Sequence, residues 1–303
     1  MTNAIVNLNG QIIAPDRVPE QAKVSVFDRS YLYGDSLYEV ARTYDGKFFG
    51  MKEHLERLEK SAALAHMVLG QSTDVYAREM QRTIDAFFAM KQFKNAEAYC
   101  RIVVSRGVGR IGFGLECLET PTQYAIIVQP LDPLNEEKFK KGRKLRIVDR
   151  LRNDSRALDP AMKSGNYLNS LLGYLEARSE GYEDALFCNA DGHLTEGSTY
   201  AFAYIKNGIF VTSPVDIGIL DSITRRHMLR LAREIGMETR EVRFPRERVY
   251  EADEVITIST IYESYPVIQV DDRIIGNGKP GPFARKLWDA YQKYALSEVG
   301  SLS

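Results

Sequence analysis

The sequence predicts an α+β fold in two domains, and three observations carry that reading. The first half sets strand-like runs and hairpin-type dipeptides beside two long amphipathic helical stretches, so helices group on a sheet. A polar segment with two prolines, Pro130-Leu131-Asp132-Pro133-Leu134, interrupts the chain near its middle. Beyond it, strands and helices resume with recognisable caps and stops. The expected division is a small domain at 1–130, a linker at 131–137 and a larger domain at 138–303.

Composition narrows the function classes. With 44% hydrophobic and 27% charged residues the chain has ample material for a core. A net charge of -1 recommends neither a nucleic-acid nor a membrane-surface partner. The opening Met1-Thr2-Asn3-Ala4-Ile5-Val6-Asn7 lacks the basic-then-apolar pattern of a signal peptide, and no apolar run is long enough to cross a bilayer. Cys100, Cys117 and Cys188 are isolated and odd in number, which suits a reducing cytoplasm better than a disulfide scaffold. His54, His66, His193 and His227 show no paired ligand spacing, so no metal site is expected.

In chain order, Asn9-Gly10 and Asp45-Gly46 read as hairpin turns. Between them, residues 27–42 mix aromatics with charges more densely than a plain core strand. Lys52 to Met67 reads as a helix with Leu55, Leu58, Ala62 and Ala65 on one stripe, and Arg57 there is expected in a surface ion pair with Glu56 or Glu59. A second helix spans about Asp74 to Met90. Tyr99 to Ser105 and Tyr124 to Val128 read as strands. The intervening Gly107-Val108-Gly109-Arg110-Ile111-Gly112 matches a dinucleotide fingerprint, but Phe113-Gly114-Leu115 leads to Thr120-Pro121 and no helix opens there, so a glycine-rich hairpin loop is the better reading.

The second half opens with a strand at Lys144 to Val148. It reaches Lys163, read at the mouth of a helix that runs from about Asn166 to Arg178, with Tyr167 one turn on and on the same face. Strands follow near Ala185 to Cys188, Tyr200 to Lys206 and Ile209 to Thr212. Ser222 is a good N-cap for a helix that stops at Gly236. Glu254 to Ile258 is a strand ending in Ser259-Thr260-Ile261, Asp271-Asp272 turns a hairpin, and Pro282 begins a last helix.

Several of these side chains suit one ligand. A lysine amine forms an imine with an aldehyde, and a nearby tyrosine hydrogen-bonds a phenolic oxygen. An enclosed acid, Glu196, pairs with a ring nitrogen. The helix start at Ser222-Ile223-Thr224 and the hydroxyls of Ser259-Thr260 hold a phosphate. That inventory is what pyridoxal 5'-phosphate requires.

From about Asn9 to Leu287 the chain resembles the class IV, fold type IV, pyridoxal-phosphate enzymes: branched-chain aminotransferases, D-amino-acid aminotransferases and aminodeoxychorismate lyase. The motifs are Tyr33-Gly34-Asp35, Glu53-His54-Leu55-Glu56-Arg57-Leu58, Lys163-Ser164-Gly165-Asn166-Tyr167, Thr195-Glu196-Gly197-Ser198, Leu220-Asp221-Ser222-Ile223-Thr224-Arg225 and Gly281-Pro282. The resemblance implies a two-domain α+β fold with the cofactor between the domains, and a homodimer or higher homo-oligomer. It implies that Lys163 carries the cofactor covalently, that Tyr167 meets the ring hydroxyl and Glu196 the ring nitrogen. Arg57, Ser222, Ile223, Thr224, Ser259 and Thr260 then hold the phosphate.

For the substrate, Tyr99-Cys100-Arg101 and Glu39-Val40-Ala41-Arg42 resemble the branched-chain group. Tyr33, Tyr38, Arg42, Tyr99, Arg101, Thr260 and Ile261 are the implied pocket. The expected reaction moves an amino group from a branched-chain L-amino acid to a 2-oxo acid such as 2-oxoglutarate. Phe27-Asp28-Arg29, Gly34-Asp35 and Ser105-Arg106-Gly107 resemble the D-amino-acid group instead, though without its Arg-x-His pattern, so a D-amino acid or (R)-amine donor is the alternative. Further alternatives are the lyase and a cofactor-binding protein without turnover.

Overall fold

A two-residue turn opens the chain. In the computed structural model, which describes residues 3–94 and 96–300, strands β1 (Ile5–Leu8) and β2 (Gln11–Ile13) pair antiparallel across Asn9-Gly10. Their φ values of 49° and 92° are the left-handed pair that such a turn requires. Met1 and Thr2, part of the opening stretch read above, lie outside the described residues. Short helices α1 (Val18–Gln21) and α2 (Arg29–Tyr33) follow, the second capped by the Asp28 carboxylate, which accepts from Ser30 N–H at 2.8 Å. Strand β3 (Ser36–Tyr44) turns at Asp45-Gly46 into β4 (Lys47–Phe48). Helices α3 (Met51–Leu64) and α4 (Thr73–Phe88) precede strands β5 (Ala98–Ser105) and β6 (Gln123–Pro130). The glycine-rich stretch between them is a loop, as its context predicted.

These strands form an antiparallel sheet in the order β2-β1-β6-β5-β3-β4. Side chains alternate across it. Leu37, Ala41, Cys100, Ile102, Val104 and Ile126 pack on one face with Leu55, Leu58, Met80, Ile84 and Phe87 of α3 and α4. At roughly 1.5–3 kcal/mol for each fully buried apolar side chain, that layer is the main stabiliser of this half. Tyr38, Val40 and Arg42 of β3 share the other face with Tyr99, Arg101 and Val103 of β5, because Val40 pairs with Arg101 and Tyr38 with Val103.

The chain divides into two compact units. One runs to Asp132 and takes in Met162–Asn166 and the residues from Glu298 on; the other holds Pro133–Ala161 and Tyr167–Ser297. The lysine stretch thus belongs with the first sheet, and it is not helical. Tyr38 N–H donates to the Lys163 carbonyl at 3.1 Å and Gly165 N–H to the Ser36 carbonyl at 2.7 Å, so these residues run along β3 like a short added strand. Gly165 is needed there because a Cβ would sit 2.3 Å from Ser36 Oγ. The helix-face reading of Lys163 and Tyr167 is therefore corrected: β3 offered unpaired backbone groups, and extended pairing satisfied them.

The second unit begins with α5 (Glu136–Lys141), β7 (Arg143–Ile147), α6 (Leu168–Ser179) and β8 (Asp184–Cys188). Then come β9 (Leu194–Gly197), β10 (Ala201–Lys206), β11 (Ile209–Thr212), α7 (Ile223–Glu234), β12 (Thr239–Glu241) and α8 (Glu247–Tyr250). Strands β13 (Glu254–Ser259), β14 (Glu263–Val270) and β15 (Arg273–Ile274) and helix α9 (Pro282–Gly300), as far as Ser297, complete it. The sheet order is β12-β11-β10-β13-β14-β7-β8-β9, with β15 on β14, and it mixes parallel and antiparallel pairs. Leu145, Leu186, Phe202, Val255 and Val267 are among its core. Pro282 starts α9 as predicted, and Glu254 satisfies the first turn, accepting from Phe283 N–H at 3.0 Å and Ala284 N–H at 2.7 Å. The α+β class expected from the sequence is the class observed. Among the described residues no helix is long and apolar enough to cross a membrane.

Candidate active site

In the first unit, Lys163 reaches the face of the sheet opposite the helices. Its backbone N–H donates to Ser61 Oγ on α3 at 3.1 Å, and its Nζ lies 2.8 Å from the Tyr38 hydroxyl oxygen. The same tyrosine ring is covered by the Arg101 guanidinium, 4.3 Å from its centroid. Tyr99 stands two residues from Arg101 on β5, and burial pushes its phenol up while the charge and hydrogen bond of Arg101 pull the other way. Amine, two phenols and a guanidinium thus share one face. Arg42 lies further along that face, opposite Tyr99, donating to the Thr43 carbonyl at 3.3 Å with its guanidinium 4.2 Å from the Tyr44 ring centroid. Tyr33 is on α2, and its hydroxyl accepts from Gly112 N–H at 3.1 Å in the glycine-rich loop.

Arg57 departs from its surface expectation. It is buried, and it forks onto the Glu39 carboxylate, Nε to Oε1 at 2.7 Å and Nη2 to Oε2 at 2.8 Å. His54 Nδ1 lies 2.7 Å from the same Oε2. Burial alone would push the Glu39 carboxyl up; the charge and hydrogen bonds of Arg57, with the bond from His54, outweigh it and hold the group at about 2.

In the second unit, Glu196 is buried on β9, a strand where the sequence suggested a turn. Arg152 clasps its Oε1 with two nitrogens at 2.9 Å each, and its Oε2 accepts from Leu220 N–H at 3.2 Å. That second bond ties the acid to the segment entering α7. Tyr167 precedes α6, and burial, then the charge of Glu196, raise its phenol above the usual tyrosine value. At α7, Ser222 is the N-cap as predicted, with Oγ accepting from Arg225 N–H at 3.2 Å. The N–H groups of Ile223 and Thr224, ahead of Arg225, have no acceptor within the helix, which is the usual makings of an anion site. Buried Arg225 anchors this end through the Ser213 carbonyl at 2.6 Å.

Ser259 ends β13, and its Oγ accepts from Tyr262 N–H at 3.2 Å, shaping the turn that carries Thr260 and Ile261. Glu263 closes that turn at a φ of 56°, and its carboxylate accepts from Trp288 Nε1 at 2.6 Å. Sequence reasoning gave no role to Glu39, His54 or Arg152. The signal for Glu39 was a charge on the apolar face of a strand; for Arg152, in a loop, there was none.

The family model for amino-transferase class IV matches residues 36–270, which include Lys163, Glu196, the α7 start and the Ser259 turn. The chain belongs to the class IV aminotransferase family. The branched-chain-amino-acid aminotransferase of Escherichia coli strain K12 is 31% identical over 90% of this aminotransferase and 88% of that protein. The D-alanine aminotransferase of Listeria monocytogenes is 30% identical over 93% and 94%. The solved branched-chain amino acid aminotransferase of Thermobaculum terrenum, in its PLP form, superposes with a TM-score of 0.84 at 27% identity over 97% of this chain and 94% of that one. The protein is thus a transaminase of fold type IV, from a family that works with pyridoxal phosphate.

Proposed function

We propose that this aminotransferase uses pyridoxal 5'-phosphate to move the amino group of a branched-chain L-amino acid to a 2-oxo acid such as 2-oxoglutarate. The donor set fits the cofactor. The first unit offers an amine and a buried guanidinium. The second offers an enclosed carboxylate, a phenol and a helix start whose first N–H groups face outward along the axis. The cofactor supplies an aldehyde that captures amines and a ring that accepts electrons. Lys163 would hold it, and its amine would carry a proton to and from the substrate α-carbon. Glu196 keeps a proton at the ring nitrogen, with Arg152 and Leu220 N–H fixing both carboxylate oxygens. Tyr167 meets the ring hydroxyl. Arg57, Ser222, Ile223, Thr224, Ser259 and Thr260 take the phosphate, and the turn at Thr260 and Ile261 receives the substrate carboxylate.

The observation that carries the substrate reading is the committed state of Arg106. Its Nε is on Asp35 at 2.7 Å, Nη1 on the His66 carbonyl at 2.8 Å and Nη2 on the Ala65 carbonyl at 2.9 Å. Each nitrogen is engaged within the fold, which supports reading Arg106 as a strut rather than as part of the carboxylate-binding loop that Ser105-Arg106-Gly107 resembles in the D-amino-acid group. Tyr38 and Tyr99 instead set two aromatic rings beside the Arg101 guanidinium, which suits an apolar side chain and a glutamate side-chain carboxylate in turn. Tyr33 and Arg42 complete the proposed pocket.

A helix stripe supports self-association. Leu168, Leu171, Leu172 and Leu175 recur at helical spacing on α6 and are 37 to 66% exposed, which suits a homodimer. The three free cysteines suit the cytoplasm.

The test is a donor panel. L-leucine, D-alanine and (R)-1-phenylethylamine are each supplied with 2-oxoglutarate or pyruvate, and the cofactor's visible absorbance and the product are followed. L-leucine with 2-oxoglutarate is expected to turn over fastest; faster turnover of D-alanine or of the amine overturns the substrate reading.

A further inference from the structure

Glu39 has no part in the reaction as set out above, yet no atom of it reaches solvent. On β3 it alternates with Tyr38, so the tyrosine faces Lys163 and Arg101 while the carboxylate turns to α3. His54 and Arg57 are three residues apart on α3, on one helix face, and both reach that carboxylate. Burial and the charges of Arg57 and Lys163 lower His54 more than Glu39 raises it, so the ring is neutral at pH 7. At 2.7 Å from a carboxylate, its Nδ1 carries the proton.

An anion site built for charge alone would not place a carboxylate against its own arginine, since Glu39 cancels much of the attraction Arg57 can exert. The arrangement makes sense if direction matters more than charge. A fork on the Nε and Nη2 edge fixes both the plane and the rotation of the guanidinium, which otherwise has a large rotamer entropy to lose. We propose that Glu39 is a positioning residue for Arg57. It fixes the plane and rotation in which the guanidinium would meet the cofactor phosphate, and His54 keeps the carboxylate from turning away. This rests on the reading above that Arg57 takes the phosphate.

The experiment compares affinity for pyridoxal 5'-phosphate with affinity for pyridoxal, which lacks only the phosphate, on the full chain by fluorescence titration. Arg57→Ala is expected to erase most of the preference for the phosphorylated form; if it keeps that preference, the phosphate reading of Arg57 fails. Glu39→Gln is expected to weaken pyridoxal phosphate by about 10- to 100-fold, the scale on which outer partners of a ligand act, and pyridoxal hardly at all. In the double variant the two losses should not add, because Glu39 acts through Arg57. If Arg57→Ala loses the preference but Glu39→Gln keeps it, or if Glu39→Gln weakens both compounds alike, the positioning role is overturned. Should Glu39→Gln fail to fold, Glu39→Asp keeps the charge but shortens the reach. It is expected to lose phosphate preference, and an unchanged preference overturns the proposal.

Discussion

Each unit withdraws a carboxylate from water, Glu39 fully and Asp184 in part, and the two are handled in opposite ways. In the first, Glu39 meets a guanidinium fork and an imidazole, and its carboxyl is held at about 2. In the second, Asp184 accepts from the Ser198 hydroxyl at 2.6 Å and the Ala185 N–H at 2.8 Å, and burial, outweighing these bonds and the charges of Arg143 and Arg178, leaves its carboxyl raised above the usual range. Enclosure alone therefore says nothing about the sign of a carboxylate's contribution. A counter-ion in contact makes the charge stabilising, and neutral hydrogen bonds only lessen its cost.

The largest expected effects test what each unit gives to the chemistry. Lys163→Ala should abolish transamination and the visible absorbance of the bound cofactor together; retained turnover in a purified variant would mean that the extended segment beside β3 does not carry the reactive amine. Glu196→Gln should keep cofactor binding and lower kcat by about 10²- to 10⁴-fold, the range of a lost proton-handling group. An unchanged kcat removes Glu196 from its assigned place.

Stability separates Glu39 from Asp184 next. Glu39→Gln strands Arg57 beside a neutral amide and should cost roughly 3–5 kcal/mol in urea denaturation. Asp184→Asn keeps an oxygen for both of its hydrogen bonds and should change stability by no more than about 0.5 kcal/mol. Equal losses would break the comparison.

Acid should sharpen it. Glu39 is depressed on folding, so its contribution is complete above its unfolded value of 4.5 and is lost as pH falls toward 2. His54 is depressed too, and protonation in the unfolded chain adds a loss of the same sign below its ordinary value of 6.5. Asp184, raised on folding, contributes with the opposite sign and resists acid. Amide protection, corrected for the intrinsic exchange rate at each pH and followed from pH 6 to 3, should therefore fall in α3 before β8; the reverse order would contradict the assignment.

The helix caps, the hairpin dipeptides and most strands were legible because each is decided within a few residues. Ser222 bonds an N–H three positions on, and Asn9-Gly10 needs only its own dihedral angles. Periodicity likewise exposed the buried stripes of α3 and α4, and distinct motifs in order pointed to the family. The partners of Arg57 were not legible. Neighbouring Glu56 and Glu59 suggested a surface pair, whereas its acid is Glu39, 18 residues away on a strand. Lys163 was misplaced for the same reason: its backbone is shaped by Ser36 and Tyr38, some 125 residues earlier. Sequence by itself determined the α+β class, the caps and the family, because local geometry and motifs in order set them. Only the tertiary structure decided which charge meets which and how the lysine is presented, because hydrogen bonds and ion pairs act through space, and a sequence does not state distances between residues far apart in it.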